Sequence, residues 1–489
     1  MPASPTLSAP RLAALVAGFD THPAYAGLAE ALRQAIVDGR IPHATKLPSE
    51  RDLAPALGVS RTTVTRAYAQ LIESGCARAR QGSGTFAQIP GGPERALDRA
   101  LTPSLNGDTL IDLNCAAASA ANGLQSHYEA AVRELPGYLA GHGYYLAGLP
   151  ELQAAVAQSF EARGLPTLPE QILITPGALS ATAIAARGLL HRGDRVLVET
   201  PVYPNAPQTL REAGGRLVPV AVANSPVPGW DLDALEDAVA RLGPRAAYLI
   251  PDFQNPTGTV MSAGERDRVG RALARGDCLA LVDESHQQLA LDGQTLPAPL
   301  AAYVESHGGR TITVGSASKS VWGGLRIGWM RAPLDLMAPL TQGRLTLDLG
   351  VPVLEQLVML RVLADPEPLR RAHLAALRTQ RSALVDALRE ALPSWRFTVP
   401  GGGLALWCEL PQPVAYEFCL AAERHGVALS PGPMFAPTGG LSRYVRIPWT
   451  RPTDELRLTA RHLAAAWAEV TSTESRPART RRSGRVMVA

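Results

Sequence analysis

The sequence predicts a multidomain protein. It has an N-terminal winged helix-turn-helix and a much larger α/β domain with a mostly parallel sheet and a small α+β lobe. Three helical patterns and a β-hairpin pattern lie within residues 23–88. Short apolar runs then alternate with alanine-rich helical stretches over residues 111–470, which is typical of parallel sheets.

Composition limits the classes of function. The chain has 489 residues, 46% of them hydrophobic, which is enough for two or three globular domains. A net charge of +3 is small, so any DNA contact must come from a local patch. The five cysteines form no CxxC pair and the ten histidines show no metal-ligand spacing. We therefore expect reduced thiols and no bound metal. The chain has no apolar run long enough to span a membrane and no recognisable signal peptide, so we expect a cytoplasmic protein.

The winged-helix prediction rests on periodicity and on helix boundaries. Residues 1–22 form an N-terminal extension before it. In the first helix, Leu28, Leu32 and Ile36 lie on one face. Capping serines and terminating glycines mark the next two helices; they are Ser49, Gly58, Ser60 and Gly75. The stretch "CARARQGSGTFA" then predicts two short strands around a turn.

Two segments predict little regular structure. Residues 89–110 are rich in Pro, Gly and charge, which is typical of a linker. Residues 471–489 form a basic tail that we expect to be disordered, with an extra nonspecific DNA contact as the alternative.

Polar side chains follow the apolar runs of the large domain, where ligands bind in open α/β sheets. Tyr203, Asn255 and Asp283 each follow such a run. The next run is followed by "SASKS", which contains Lys319, and the only other lysine in the chain is Lys46. An amine, unlike a guanidinium, can lose its proton and form a Schiff base with an aldehyde.

The motifs "NPTG", "VDE", "SASKSVWGGLRIGW" and "GYYLAGLPELQAAV" resemble those of fold-type I aminotransferases, which bind pyridoxal 5′-phosphate (PLP). The resemblance implies that Lys319 forms the Schiff base with the cofactor and that Arg446 grips the carboxylate of a substrate or effector. The residues that it assigns to the cofactor are Ala178, Leu179, Tyr203, Asn255, Asp283, His286, Ser316, Ser318, Lys319 and Arg326.

The sequence departs from this family at His286, where the family usually has a tyrosine that touches the 3′-oxygen of the cofactor. Histidine can donate a hydrogen bond but titrates near neutrality. The substitution counts against efficient transamination, unless His286 points elsewhere.

The stretch "KLPSERDLAPALGVSRTTVTRAYAQLIESG", followed by "QGSGTFA", resembles GntR-type winged helix-turn-helix repressors. In that family the third helix enters the major groove of double-stranded DNA. The residues that the resemblance assigns to DNA are Arg51, Ser60, Arg61, Thr63, Arg66 and Gly82.

The order of these parts resembles the MocR subfamily of transcriptional regulators. It implies a homodimer with swapped DNA-binding domains, whose PLP-bound domain senses an amino-compound effector, or PLP itself, and modulates binding to an operator. One alternative is an active PLP-dependent aminotransferase that carries a DNA-binding domain. Another is a regulator whose large domain only dimerises. Lys319 counts against the latter and permits a residual transaminase half-reaction.

Overall fold

The computed structural model of the chain describes residues 6–37, 40–41, 44–80, 82–88, 110–223 and 229–472. Residues 89–109 of the predicted linker, 473–489 of the predicted tail and Gln81 of the predicted turn lie outside the described residues. The chain divides into two compact units. The first comprises Met1–Cys115, Glu409–Arg446 and Arg461–Ala489, and the second comprises Ala116–Cys408 and Ile447–Ala460.

The N-terminal part of the first unit, residues 6–88, is called the reader below. Its helices are α1 (Ala9–Leu15), α2 (Ala24–Val37), α3 (Glu50–Leu57) and α4 (Arg61–Glu73), and its antiparallel hairpin is formed by β1 (Ala77–Arg80) and β2 (Gly84–Ala87). Ser49 and Ser60 cap α3 and α4 by accepting hydrogen bonds from backbone N–H groups, and Gly58 ends α3 in the left-handed region with φ of 67°. The predicted winged helix-turn-helix is confirmed.

The reader core forms where the apolar stripes of its helices meet. The predicted faces of α2 and α4 are buried, from Leu28 and Leu32 on the first to Val64 and Leu71 on the second. Burial of such side chains stabilises a fold by about 1.5–3 kcal/mol each. Leu12 of α1, within the predicted N-terminal extension, is also fully buried in this core.

The second unit is built on an eight-stranded sheet with the order β4-β11-β10-β9-β8-β5-β6-β7. Strands β6, β5, β8, β9 and β10 are parallel neighbours, whereas β7, β11 and β4 run antiparallel to their neighbours. The strands are β4 (Ile172–Thr175), β5 (Arg195–Thr200), β6 (Arg216–Ala223), β7 (Gly229–Trp230), β8 (Ala246–Leu249), β9 (Leu279–Asp283), β10 (Thr311–Ser316) and β11 (Gly328–Arg331).

Helices cover both faces of this sheet because successive strand residues point to opposite sides. On β5, Val196 and Val198 pack into one core cluster, whereas Leu197 packs into another. The helices are α5 (Leu124–Glu134), α6 (Pro150–Glu161), α7 (Ala178–Leu189), α8 (Asn205–Glu212), α9 (Leu232–Leu242), α10 (Ala263–Arg275), α11 (Leu300–Ser306), α12 (Met337–Leu345), α13 (Val353–Ala364) and α14 (Glu367–Ala391).

Strands and two helices complete the C-terminal part of the chain. They are β12 (Ala405–Glu409), α15 (Ala415–Arg424), β13 (Val427–Ala428), β14 (Ser430–Pro431), β15 (Tyr444–Pro448) and α16 (Thr453–Ser472), with β3 (Ile111–Asp112) from earlier in the chain. Within the first unit, β13 pairs with β3 and β14 pairs with β15, which places Ser430 opposite Arg446. Among the described helices, none has both the length and the apolar character needed to cross a bilayer.

Candidate functional sites

A cavity of about 170 Å³ opens at the carboxyl ends of the central strands of the second unit. All ten residues that the sequence assigned to a cofactor line it, so the structure brings them together. Five further lining residues were not predicted from the sequence; they are Gly177, Thr182, Tyr248, Ile250 and Ser285.

One end of the cavity is suited to an anion. Gly177 precedes α7, so the first backbone N–H groups of that helix face the cavity end together with the positive end of the helix dipole. Arg326 donates from Nη2 to the Pro176 carbonyl at 2.6 Å, and its Nη1 lies 3.5 Å from Ser318 Oγ. Ser316 Oγ accepts a hydrogen bond from the Ser318 backbone N–H at 3.1 Å. Hydroxyls, helix N–H groups and a guanidinium form a donor set that fits a phosphate.

The anion end requires glycine at two places. Gly177 has φ of 96° and ψ of 169°, a region that is essentially restricted to glycine. A Cβ atom on Gly177 would lie 3.0 Å from Nη2 of Arg326. A Cβ atom on Gly328 of β11 would lie 2.6 Å from the Gly177 backbone. The start of β11 therefore supports the turn that begins α7.

The other end of the cavity carries a buried carboxylate, Asp283, at the end of β9. Tyr248 donates its hydroxyl to Asp283 Oδ2 at 2.6 Å, and the Ser285 backbone N–H donates to Oδ1 at 2.8 Å. Both hydrogen bonds fix the orientation of the carboxyl group. Burial and the neighbouring Asp283 raise the pKa of Tyr248 well above its usual range, so its hydroxyl stays a donor.

Beneath the cavity, Glu199 at the end of β5 is completely buried. It accepts hydrogen bonds from Trp230 Nε1 at 2.8 Å, the Ile250 N–H at 2.9 Å and Gln254 Nε2 at 2.9 Å. Burial raises the pKa of Glu199 to about 7, although the three donors lower it. Because Gln254 precedes Asn255, this network holds the segment that presents Asn255 to the cavity.

Lys319 lines the same cavity from the turn after β10. Its Nζ donates to the Ala116 carbonyl at 2.9 Å, and its own carbonyl lies 3.1 Å from Nε2 of His373 on α14. A carbonyl oxygen only accepts hydrogen bonds, so Nε2 of His373 carries a proton. Burial lowers the pKa of His373, which favours the neutral ring. The helix therefore anchors the main chain from which the lysine side chain extends.

His286 lies in the cavity lining with Nδ1 2.9 Å from the Phe253 carbonyl oxygen. Since the carbonyl can only accept, Nδ1 carries a proton and a neutral His286 has its lone pair on Nε2. Phe253 holds its backbone in the left-handed region, with φ of 49°. A tyrosine at this position would differ, because its hydroxyl has a proton to donate at any pH below its pKa.

Arg446 belongs to the first unit and is not among the lining residues of the cavity. It is only 1% exposed, on β15. Its Nη2 donates to the Asn114 carbonyl, and its guanidinium lies 5.0 Å from the centre of the Phe435 ring. Ser430 Oγ donates to Asn114 Oδ1 at 3.1 Å. The planar guanidinium of an arginine has the geometry to bind a carboxylate through two parallel hydrogen bonds.

In the reader, the predicted DNA residues lie on α3, on α4 and in the hairpin turn. Arg51 in the first turn of α3 and Arg61 at the start of α4 are both exposed. Glu50 Oε2 lies 3.6 Å from Arg61 Nε and accepts a hydrogen bond from Thr65 Oγ1 at 2.8 Å. Glu50 therefore orients the first turn of α4, a role that the sequence analysis did not identify.

Arg66, also exposed, stacks its guanidinium on Tyr25, 3.7 Å from the ring centre. Ser60 uses its hydroxyl as the cap of α4 and lies 2.8 Å from the Thr63 hydroxyl. Gly82 is exposed in the hairpin turn with φ of 73°, and a Cβ atom there would meet no atom within 4 Å. The backbone at the hairpin tip can therefore approach another molecule closely.

Among the described residues, no group of three or more His, Cys, Asp or Glu side chains could hold a metal ion. The sites above are made of arginine, lysine, hydroxyl groups and isolated carboxylates.

Comparison with known proteins gives two family matches and several relatives. Residues 124–463 match the model of aminotransferase class I and II, and residues 24–87 match that of bacterial regulatory proteins of the gntR family. The chain is 31% identical over 341 residues to the probable rhizopine catabolism regulatory protein MocR of Rhizobium meliloti, covering 64% of this chain and 66% of that protein. It is 29% identical over 457 residues to the HTH-type transcriptional regulator YdcR of Escherichia coli, covering 86% and 94%.

A solved structure is also similar to much of this chain. It is that of LysN, an alpha-aminoadipate aminotransferase from Thermus thermophilus complexed with N-(5′-phosphopyridoxyl)-L-leucine. The TM-score is 0.68 at 29% identity, and the match covers 74% of this chain and 93% of that one.

Proposed function

Because this chain belongs to the aminotransferase class I and II family and carries a gntR-family domain in front of that part, we propose that it is a transcriptional regulator in which PLP, bound at Lys319, senses an amino compound and modulates sequence-specific DNA binding. The predicted MocR-like order of domains is confirmed by the two matches and by relatives named as regulators. Residues 23–88 and 111–470 stay the predicted bounds of the two domains.

The observation that carries the cofactor proposal is the polarity of the cavity around Lys319. The donor set at the Gly177 turn fits the phosphate, and the carboxylate of Asp283 at the other end fits a protonated ring nitrogen. When bound, PLP supplies an aldehyde that reacts with amines and a ring that accepts electron density. Lys319 is the amine placed to hold it covalently.

The remaining lining residues position the ring. Tyr203 supplies an aromatic face, and its hydroxyl accepts a hydrogen bond from Asn205 Nδ2 at 2.8 Å. Asn255 supplies a side-chain amide to the cavity lining, and the Glu199 network holds the side chain of the preceding residue, Gln254. His286 stands where a second donor to the ring oxygen is expected. We propose that Arg446 binds the carboxylate of the effector, because it is a buried arginine whose guanidinium can form two parallel hydrogen bonds with a carboxylate.

The reader binds double-stranded DNA in this proposal. Exposed arginines on α4 enter the major groove, where a guanidinium can bind guanine edges bidentately. Arg51, Ser60 and Thr63 contact phosphates, and Gly82 lets the hairpin approach the minor groove. We further propose a cytoplasmic homodimer with swapped readers, since a palindromic or repeated operator suits a two-fold assembly.

The test combines two measurements on the full-length protein. PLP-loaded protein is titrated with a panel of amino acids and amines while the visible absorbance of the cofactor is followed. The same samples are then assayed for DNA binding by anisotropy, using fluorescent duplexes from the promoter region of the gene itself. We expect one compound to shift the absorbance, to change DNA affinity and to release no keto acid.

Two variants separate the parts of the proposal. Lys319→Ala should abolish the absorbance response and the effect of the compound on DNA binding while leaving basal DNA binding intact. Arg61→Gln should weaken DNA binding and leave the absorbance response intact, with Arg371→Gln as the matched control on an exposed arginine outside the reader. Steady release of keto acid with turnover would instead establish the aminotransferase alternative. Regulation that survives Lys319→Ala would refute sensing through the cofactor.

A further inference from the structure

The edge of the large sheet opposite the cofactor cavity is lined by arginines. Arg216 begins β6, Arg195 begins β5 and Arg245 directly precedes β8, and these three strands are adjacent in the sheet. Arg195 and Arg216 are paired in the strand register, and the Arg245 N–H donates to the Arg195 carbonyl at 2.8 Å. All three are exposed. We call these three residues the basic edge.

The basic edge has an electrostatic cost within the fold. Adjacent strands are about 4.8 Å apart, and like charges directly opposite each other in a sheet destabilise it. Among the described residues, no carboxylate forms an ion pair with any of the three, and the one hydrogen bond that their guanidinium groups make is from Arg195 Nη1 to the Leu242 carbonyl at 2.8 Å. The charges are therefore available to an external anion.

The acidic residues nearest to these arginines along the same edge make their contacts with other residues. Asp194 Oδ2 accepts a hydrogen bond from the His191 N–H at 2.8 Å, and Asp277 Oδ1 lies 3.3 Å from Arg310 Nη2. Two more exposed arginines, Arg192 and Arg275, lie in the segments that lead into β5 and β9. The local balance is thus positive although the whole chain carries only +3.

The edge is also shaped to admit a charged group. A polar cavity of about 370 Å³ lies there, lined by Gly193, Asp194, Arg195, Gly243, Pro244, Arg245, Gly276 and Asp277. Arg195 and Arg245 both line it, and the two acids in the lining, Asp194 and Asp277, have the contacts described above.

We propose that the basic edge is a second DNA-contacting surface, which binds the phosphate backbone and carries no sequence information. The ligand that we propose for the reader, duplex DNA, is a polyanion. Arginine can bind its phosphate groups through two parallel hydrogen bonds. Such contacts add affinity in proportion to the counterions that they release. This inference rests on the proposed DNA-binding function of the reader.

The test uses full-length protein and a fluorescein-labelled duplex of mixed sequence, about 60 bp long, with anisotropy titrations between about 50 and 200 mM salt. The variant Arg195→Gln/Arg216→Gln/Arg245→Gln is compared with Arg133→Gln/Arg187→Gln/Arg371→Gln, which removes the same charge from exposed arginines elsewhere in the second unit. The slope of log affinity against log salt is about −0.9 per phosphate contact. We expect the basic-edge variant to flatten that slope by about 2.7, and the control variant to leave it almost unchanged.

Two further readouts keep the outcome interpretable. The thermal midpoint of the basic-edge variant should change little, because removal of the repulsion between like charges offsets the loss of the hydrogen bond from Arg195 to the Leu242 carbonyl. Arg61→Gln in the reader should weaken DNA binding whether or not the basic edge contributes. Equal slopes for the two triple variants would overturn the proposal for the basic edge, whereas an unaffected Arg61→Gln variant would refute the DNA-binding role of the reader instead.

Discussion

Replacement of Gly177 by alanine tests whether the turn before α7 is the phosphate site. The residue has φ of 96° and ψ of 169°, and an alanine held in that region costs about 1–3 kcal/mol. Its Cβ atom would also lie 3.0 Å from Nη2 and 3.5 Å from the central carbon of the Arg326 guanidinium. Either the turn or the arginine has to move, and both carry donors for the phosphate.

The expected loss of cofactor affinity follows from those donors. A hydrogen bond to a charged group contributes about 1.5–3 kcal/mol, so displacement of one such donor corresponds to about 2 kcal/mol. That is about 30-fold in the dissociation constant for PLP, since about 1.4 kcal/mol corresponds to tenfold. Titration of the apoprotein with PLP, followed by visible absorbance, measures it. The strain alone should lower the thermal midpoint by a few degrees.

Gly193 provides the matched control for this substitution. It has φ of 97°, and a Cβ atom there would meet no atom within 4 Å. Gly193→Ala should therefore lower the thermal midpoint through backbone strain alone, while PLP affinity stays at the level of the unmodified protein. If Gly177→Ala binds PLP as tightly as the unmodified protein does, or if both variants lose affinity equally, the assignment of the phosphate to this turn is wrong.

Three further substitutions test other parts of the structure. Tyr248→Phe removes the 2.6 Å hydrogen bond to the buried carboxylate of Asp283 and should destabilise the second unit by about 1.5–3 kcal/mol, seen as a lower thermal midpoint. Glu199 holds a proton in the folded state up to a pKa of about 7, so stability should fall as the pH rises from about 4.5 to 7; Glu199→Gln should flatten that slope in thermal midpoints taken across this range. Tyr25→Leu removes the ring on which Arg66 stacks and should weaken DNA binding by about 2- to 5-fold in anisotropy titrations, from a contact of about 0.5–1 kcal/mol.

Features that depend on local periodicity could be predicted from the sequence. The buried stripe of α4 lies at the spacing expected for a helix, and the caps at Ser49 and Ser60 are made by the residues that the pattern indicated. Likewise the alternation of strands and helices predicted that Tyr203, Asn255 and Asp283 follow strands, and these three line one cavity together with the residues that the family resemblance implied. Such features are set by neighbours a few residues apart in the chain.

Features that depend on strand order could not be predicted. Tyr248 and Asp283 are 35 residues apart and meet because β8 and β9 are adjacent, parallel strands. Within its own stretch, "AAYLIP", the tyrosine has the pattern of an ordinary core aromatic. Gly328 and Gly177 approach for the same reason, through the pairing of β11 with β4. A pattern of residues indicates that a strand exists but does not identify its partner.

His286 lies between these cases, and its environment bears on the choice between sensor and enzyme. The sequence shows the substitution, but only the structure shows that the Phe253 carbonyl fixes the proton of the ring on Nδ1. In the neutral ring Nε2 is an acceptor, and only the cation has a second N–H to donate. A tyrosine donates at any pH below about 10, so its hydrogen bond to a ring oxygen does not change near neutrality. A neutral His286 therefore presents an acceptor at the position where a tyrosine presents a hydroxyl donor. The loss of that donor to a ring oxygen is a disadvantage for steady turnover and is compatible with a domain that reports binding.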